Sequence, residues 1–271
     1  MNPVNCWKAQ SWPRGLGYGS GFENEGLGIS FGWHARGTIW QAYRQAEVTG
    51  RALAHLIRSI RKTDPDREIR LMGHSLGARV ILSSLLSLDA GDVDRVILLN
   101  AAEYGHAADL ALGSPAGQNV ELFSVTTREN DLFDFLFERI IAPPVRGDRC
   151  LAQSLGNSRN ALTIEIDRRR TRRALFELGY SIAPPDTRIC HWSAYLRPGV
   201  FDLYRALLRM PHLTRLNQLK EALPKRHMPR WSRVIGLSDI EAVMTEVWPE
   251  PAISFPTAST SRGPRRAWFG T

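Results

Sequence analysis

Residues 68–88 read EIRLMGHSLGARVILSSLLSL, and this stretch decides the fold. Glu68 to Gly73 is a short apolar run bounded by glycine, too short for an ordinary helix and suited to a buried strand. Gly77 to Leu88 changes to helical spacing, with Val80, Ile81, Leu85 and Leu88 available for packing. Between them, Gly73-His74-Ser75-Leu76-Gly77 matches G-x-S-x-G. The pattern has a steric origin. A strand that reverses into a helix within a few residues forces the central residue into a strained backbone, and glycines two positions either side relieve crowding between strand and helix. The serine hydroxyl is left exposed at the carboxyl edge of the sheet, and the Leu76 N–H, at the helix start, is free to face a developing oxyanion.

Working outward, strands alternate with helices. Gly26 to Trp33 (GLGISFGW) reads as a short strand. From Thr38 to about Arg61, Ile39, Tyr43, Ala46, Leu53, Leu56, Ile57 and Ile60 form an apolar stripe, and Asp64-Pro65-Asp66 ends it. Val93 to Asn100 has the nearly continuous apolar centre of a strand covered on both faces. Asn119 to Thr126 and Leu162 to Ile166 are further strands, and Leu132 to Ile141 is an aromatic-rich helix stopped by Pro143-Pro144. The run Arg168 to Leu178 is helical or an arginine-rich connection. Val200 to Arg209, Thr214 to Leu223 and Ser238 to Val247 read as short helices, the last with Glu241 three residues after Ser238 as in a capping box. Three segments follow: a glycine-rich 1–25, a domain spanning 26–248 and a Pro/Ser/Thr/Arg-rich tail over 249–271. The fold class expected is α/β, a three-layer α/β/α sandwich on a mainly parallel sheet.

A chain of 271 residues with 43% hydrophobic content can build one sizeable core, which excludes disordered and fibrous classes. Cys6, Cys150 and Cys190 are too few for a disulfide framework and form no metal-ligand cluster, so isolated thiols are expected. No stretch approaches the roughly 20 apolar residues of a membrane span, and the start has no signal-peptide pattern. The expectation is a soluble, cytoplasmic protein. Net charge is +8, densest over Arg168 to Arg173. Because no nucleic-acid motif or interleaved aromatics accompany that run, a solvated helix face is expected there and no nucleic-acid partner.

A serine of this kind needs a base and an acid, which follow it in the chain from loops beyond later strands. Asp131 suits the acid, lying just past the NVELFSVT strand; Glu129 and Asp134 compete, Asp134 reading as a solvent-facing position one turn into the helix. A helix N-cap is the bland alternative for Asp131. His191 is the leading base, with His212 and His227 behind it; His34 and His55 precede Ser75, His74 is inside the turn and His106 comes before the acid strand. In such a triad Ser75 attacks an acyl carbonyl, His191 carries the proton, and Asp131 fixes the imidazole. No metal or organic cofactor is needed.

The pieces ISFGWHARG with Tyr43, IRLMGHSLGARV, VILLNAA, SVTTREND and CHWSAY together resemble a bacterial group in the α/β-hydrolase superfamily, of uncertain substrate and distantly related to lipases and cutinases. The similarity covers roughly residues 26 to 210 and implies an α/β-hydrolase-type sheet with Ser75, Asp131 and His191 as nucleophile, acid and base. Members usually carry an earlier strand ending in a His-Gly loop that gives the second oxyanion-hole amide. No such pair occurs here, and only about 25 residues precede ISFGW, so a sheet lacking N-terminal strands is expected. Besides Leu76, the second donor is then unknown, with Gly15 to Gly21 and Trp33 to Gly37 as candidates. A missing donor would cost on the order of 3 kcal/mol in the transition state.

Trp12, Trp33, Trp40, Phe133, Phe137 and Trp192 are candidates for an acyl pocket as well as for the core, and Pro143 to Asn160 is long enough to cover a site. The reading that follows is a serine hydrolase acting on a small-molecule or lipid-like carboxylic ester. Its alternative is a non-catalytic α/β-hydrolase-like protein that binds an acidic partner through its basic surface. Amide or thioester chemistry uses the same triad, and oligomeric state is not legible.

Overall fold

A computed structural model describes residues 10–21, 25–155 and 158–225. Four strands, β1 (Arg70–His74), β2 (Arg95–Leu99), β3 (Glu121–Thr126) and β4 (Ala161–Glu165), form a sheet in the order β1-β2-β3-β4. All three pairings are parallel, with Arg70 opposite Arg95, Arg95 opposite Glu121, and Leu122 opposite Ala161. Parallel neighbours require crossovers, supplied by α3 (Leu76–Leu85), by α4 (Gly105–Gly113) and by α5 (Asp131–Ile140) with α6 (Leu151–Ser154); α1 (Trp12–Gly15) and α2 (Ile39–Thr63) precede β1, and α7 (Arg169–Glu177), α8 (Ser193–Leu196), α9 (Val200–Arg209) and α10 (Leu216–Ala222) follow β4.

The three layers follow from the two-residue period of β2. Val96 and Leu98 face one core with Ala46, Leu53 and Ile57 of α2 and Val80, Ile81 and Leu85 of α3. Ile97 and Leu99 face the opposite core with Leu175 of α7, Val200, Leu203 and Leu207 of α9, and Leu216 and Leu219 of α10. Every residue of β2 is buried, which is why this strand reads as an unbroken apolar run. The expected three-layer α/β architecture is present.

Helix α2 starts on a capping box, Gln41 N–H donating to Thr38 Oγ1 and Thr38 N–H to Gln41 Oε1. It packs along α3, where Gly50 lets the two approach: a Cβ there would lie 2.5 Å from Ser83 Cβ. The arginine run resolves as the helix α7, with Arg169, Arg170 and Arg173 exposed and Arg168 paired to Glu165 at 3.2 Å. Cys150 and Cys190 are in no disulfide among the described residues, in line with the expectation of isolated thiols.

One expectation needs correction. Gly26 to Trp33 forms no strand; Leu27 and Ile29 are 78% and 52% exposed, and only Phe31 and Trp33 lean on the core. An apolar run becomes a strand only as half of a ladder, and among the described residues β1 is paired with β2 alone. Residues 105–113 also form a helix, in a Gly- and Ala-rich stretch (GHAADLALG) whose sequence pattern marks no element. Within Pro143 to Asn160, Leu151 N–H donates to Glu103 O at 2.7 Å, and Cys150 and Leu151 are fully buried. The expected helix at 238–247, the tail at 249–271 and His227 lie outside the described residues. No helix among the described residues is long and apolar enough to cross a membrane.

Candidate active site

Ser75 sits between β1 and α3 with φ 55° and ψ −125°. Ser75 and Asn100 are the non-glycine residues with positive φ among those described. Such a backbone costs about 1–3 kcal/mol and persists only where neighbours fix it. Here Ser75 N–H donates to Leu99 O at 3.0 Å, and Ser75 O accepts from Ala78 N (3.0 Å) and Ala102 N (3.2 Å). Gly73 is required by crowding, because a Cβ there would stand 2.8 Å from both Gly77 O and Ile81 Cδ1. Gly77 is not: a Cβ on it meets nothing within 4 Å, so the second glycine leaves open space beside the serine instead of relieving a clash.

The Leu76 N–H, first in α3, makes no backbone hydrogen bond among the described residues and is free for an oxyanion. The segment Gly15 to Gly21 is excluded as the second donor. Gly15, Leu16, Gly17 and Tyr18 N–H groups donate to carbonyls of residues 11–14. Those of Gly19, Ser20 and Gly21 converge on the Glu25 carboxylate at 2.7, 2.9 and 3.1 Å. Main-chain N–H groups of Trp33 to Gly37 make no hydrogen bond among the described residues, and that segment remains the candidate.

His191 is brought to this edge of the sheet by the connection between α7 and α8. The connection is tied down by Glu129, whose carboxylate pairs with buried Arg197 and accepts from Thr187 Oγ1 at 3.3 Å, while its main-chain O accepts from Cys190 N at 2.9 Å. Arg197 also donates to Ile166 O, and burial pushes its guanidinium down to about 10, which still leaves it charged at neutral pH. Glu129 is therefore a structural anchor and not the acid of the site. Glu103, a buried carboxylate beyond β2, is similarly occupied by Tyr43 Oη (2.6 Å), Tyr104 N (2.8 Å) and Arg79 (2.5 Å).

The His191 ring is 8% exposed and stacks on Phe133, centroids 4.6 Å apart. Its Nδ1 lies 2.7 Å from Asn130 Oδ1, and Asn130 Nδ2 donates to Asp134 Oδ1 at 2.8 Å. The chain of bonds fixes every proton. A carboxylate oxygen only accepts, so the Asn130 amide NH₂ faces Asp134 and its carbonyl faces the ring. His191 Nδ1 then carries hydrogen, which leaves a lone pair on Nε2. The ring donates this hydrogen bond to Asn130, the residue beside the expected Asp131. Asp131, at the start of α5, lies 3.8 Å from Arg128 Nε, and the backbone direction of the Arg128–Asn130 turn turns its predecessor, Asn130, toward His191. Asp134, which the sequence places in solvent, is 3% exposed and backs Asn130.

Among the described residues no hydrogen bond joins Ser75 Oγ to His191. His191 is held beside the elbow through its main-chain carbonyl, 2.9 Å from His74 Nε2 and 2.9 Å from Asn100 Nδ2; the rings of His74 and His191 are 4.5 Å apart. Asn130, Asn100 and His74 are the site residues that sequence reasoning missed. The one signal for Asn130 was its adjacency to Asp131, together with the fact that an asparagine amide can orient a catalytic histidine in unrelated enzymes.

A parallel sheet clad on both faces, with a strained serine between its first strand and the next helix, is an α/β fold of the α/β-hydrolase type. Residues 19–110 match the model of a family described as "Alpha/beta hydrolase of unknown function (DUF900)", so the resemblance to α/β-hydrolases of uncertain substrate is shown over that stretch. The match includes Ser75 and ends before Asn130, Asp131 and His191. No curated protein and no solved structure matches the chain.

Proposed function

We propose that the chain is a serine hydrolase cleaving carboxylic esters, with Ser75 as nucleophile, His191 as general base and acid, and Asn130 as the residue orienting His191. The observation supporting this reading is the His191–Asn130–Asp134 chain, which puts the hydrogen on Nδ1 of a histidine whose ring lies 4.5 Å from that of His74, the residue before Ser75. His191 Nε2 takes the Ser75 proton as Oγ attacks the acyl carbon. The oxyanion is met by the Leu76 N–H and a second donor from the Trp33 to Gly37 segment. Collapse expels the alcohol, which receives the proton from His191, and water deprotonated by the same nitrogen then releases the acid.

A neutral amide stabilises the imidazolium less than an adjoining carboxylate does, and Asp134 acts one hydrogen bond further away. Esters with good leaving groups are therefore favoured over amides. The test is labelling by a fluorophosphonate probe with mass-spectrometric mapping. Ser75 is expected to be modified, Ser75→Ala to be inert, and Asn130→Leu to react about 10²-fold more slowly. A folded wild-type protein that resists the probe would sink this reading. It would favour instead a non-catalytic protein binding an acidic partner through the exposed arginines 169, 170 and 173 of α7.

A further inference from the structure

We infer that His74 and Asn100 are positioning residues that clamp the main-chain carbonyl of His191 and so hold its ring in register with Asn130 and Ser75. The inference rests on the serine-hydrolase reading and extends it to two residues outside the triad. The carbonyl accepts two side-chain donors at the same distance, 2.9 Å, one from the end of β1 and one from the end of β2. These are the two strands between which the Ser75 backbone is bonded, through Ser75 N–H to Leu99 O. Nucleophile and base are thus referenced to one rigid part of the sheet, although they lie more than a hundred residues apart in sequence.

Each member of the clamp is committed to it. A carbonyl can only accept, so His74 Nε2 carries the hydrogen; burial pulls the His74 pKa down to about 4, keeping the ring neutral at physiological pH. Asn100 is fully buried, adopts φ 41°, and among the described residues its Oδ1 accepts no hydrogen bond and its amide donates to His191 alone. A buried acceptor without a partner is unfavourable, and a left-handed backbone on a non-glycine residue is uncommon. Both occur together at the position that reaches His191. Packing alone would be served at lower cost by an apolar side chain. The His74 ring is further fixed edge-on against Tyr195, 5.1 Å between centroids, the residue four beyond His191.

The experiment compares donors with non-donors of similar shape. His74→Phe and Asn100→Asp remove a donor while keeping ring or chain volume, and aspartate tolerates the left-handed backbone. His74→Gln restores an N–H near the Nε2 position. The rate of Ser75 phosphonylation is expected to fall at least tenfold in His74→Phe and in Asn100→Asp. It should recover most of the way in His74→Gln, with thermal midpoints recorded for each to confirm a folded chain. Wild-type rates in both non-donor variants would overturn the clamp while leaving the hydrolase reading intact. If the wild-type protein itself is not labelled, the decision passes to the His191 Nδ1–H proton in the nuclear magnetic resonance spectrum of Ser75→Ala. Loss of that slowly exchanging signal on adding His74→Phe, with return in His74→Gln, supports the clamp; a signal unaffected by either change refutes it.

Discussion

Two glycine-rich turns of this molecule look alike in sequence and do opposite things with their amides. In the elbow, Gly73 to Gly77, one glycine admits the close crossing of β1 and α3, and the Leu76 N–H is left over. In Gly15 to Gly21, glycines at φ near 80° turn three successive N–H groups to one side, and the protein's own Glu25 occupies the resulting cradle. Both turns can receive negative charge. What separates them is whether an internal acceptor has already taken the donors. Glycine content therefore locates candidate anion sites, but only the partner inventory says which is vacant.

The sharpest way to break the comparison is Gly73→Ala. Besides the Ile81 side chain, the clashing atoms are the Gly77 backbone carbonyl, which cannot swing away, so a loss of about 2–3 kcal/mol in stability is expected, with Ser75 labelling largely abolished. Chemical denaturation and probe kinetics on the same sample measure both. Next in size is an acid sensitivity built into the elbow by His74. Its folded pKa near 4 lies below the ordinary 6.5, so between those values the unfolded chain binds a proton that the folded chain does not. Stability should then decline from pH 6.5 to 4 by up to about 3 kcal/mol and level off below, a slope that disappears in His74→Gln when followed by urea titration.

Gly77→Ala is expected to behave differently from Gly73→Ala despite the symmetric motif. Nothing opposes the new methyl, and replacing a helical glycine should raise stability by up to about 1 kcal/mol. If labelling nonetheless slows, the space beside Gly77 is where the acyl substituent sits. Smallest of all is Glu25→Gln. The Ser20 hydroxyl and the Gly19 amide foremost hold this carboxylate at about 2, well below 4.5, so its contribution is present above pH 4.5 and lost as pH falls through about 2. A slight drop in thermal midpoint at pH 7, absent at pH 2, is expected, with Ser75 labelling unchanged. A change in labelling would return Gly15 to Gly21 to the oxyanion hole.

Much of this architecture was legible because local rules and tertiary demands agree. The run Arg95 to Leu99 could hardly be anything but a strand covered on both faces, and Ser75 between a strand and an amphipathic helix announces its own backbone strain. Gly26 to Trp33 failed because alternating apolar residues describe a face and say nothing of the neighbour a ladder needs. Helix α4 was missed for the converse reason: its small residues pack well between neighbours but carry little periodic signal.

The site divides along the same line. Sequence by itself determined the strand–serine–helix unit and the amide that follows it, since these depend on residues within one or two turns of each other, and it singled out the segments bearing His191 and Asn130. Only the tertiary structure decided that Asn130 hydrogen-bonds His191 Nδ1, and that Asp134 is buried behind it. Adjacent residues in a turn diverge by a large angle, so a one-residue choice is set by how the connection carrying His191 docks. That docking is governed by Glu129, Arg197, His74 and Asn100, contacts spanning up to 117 residues that no local pattern encodes.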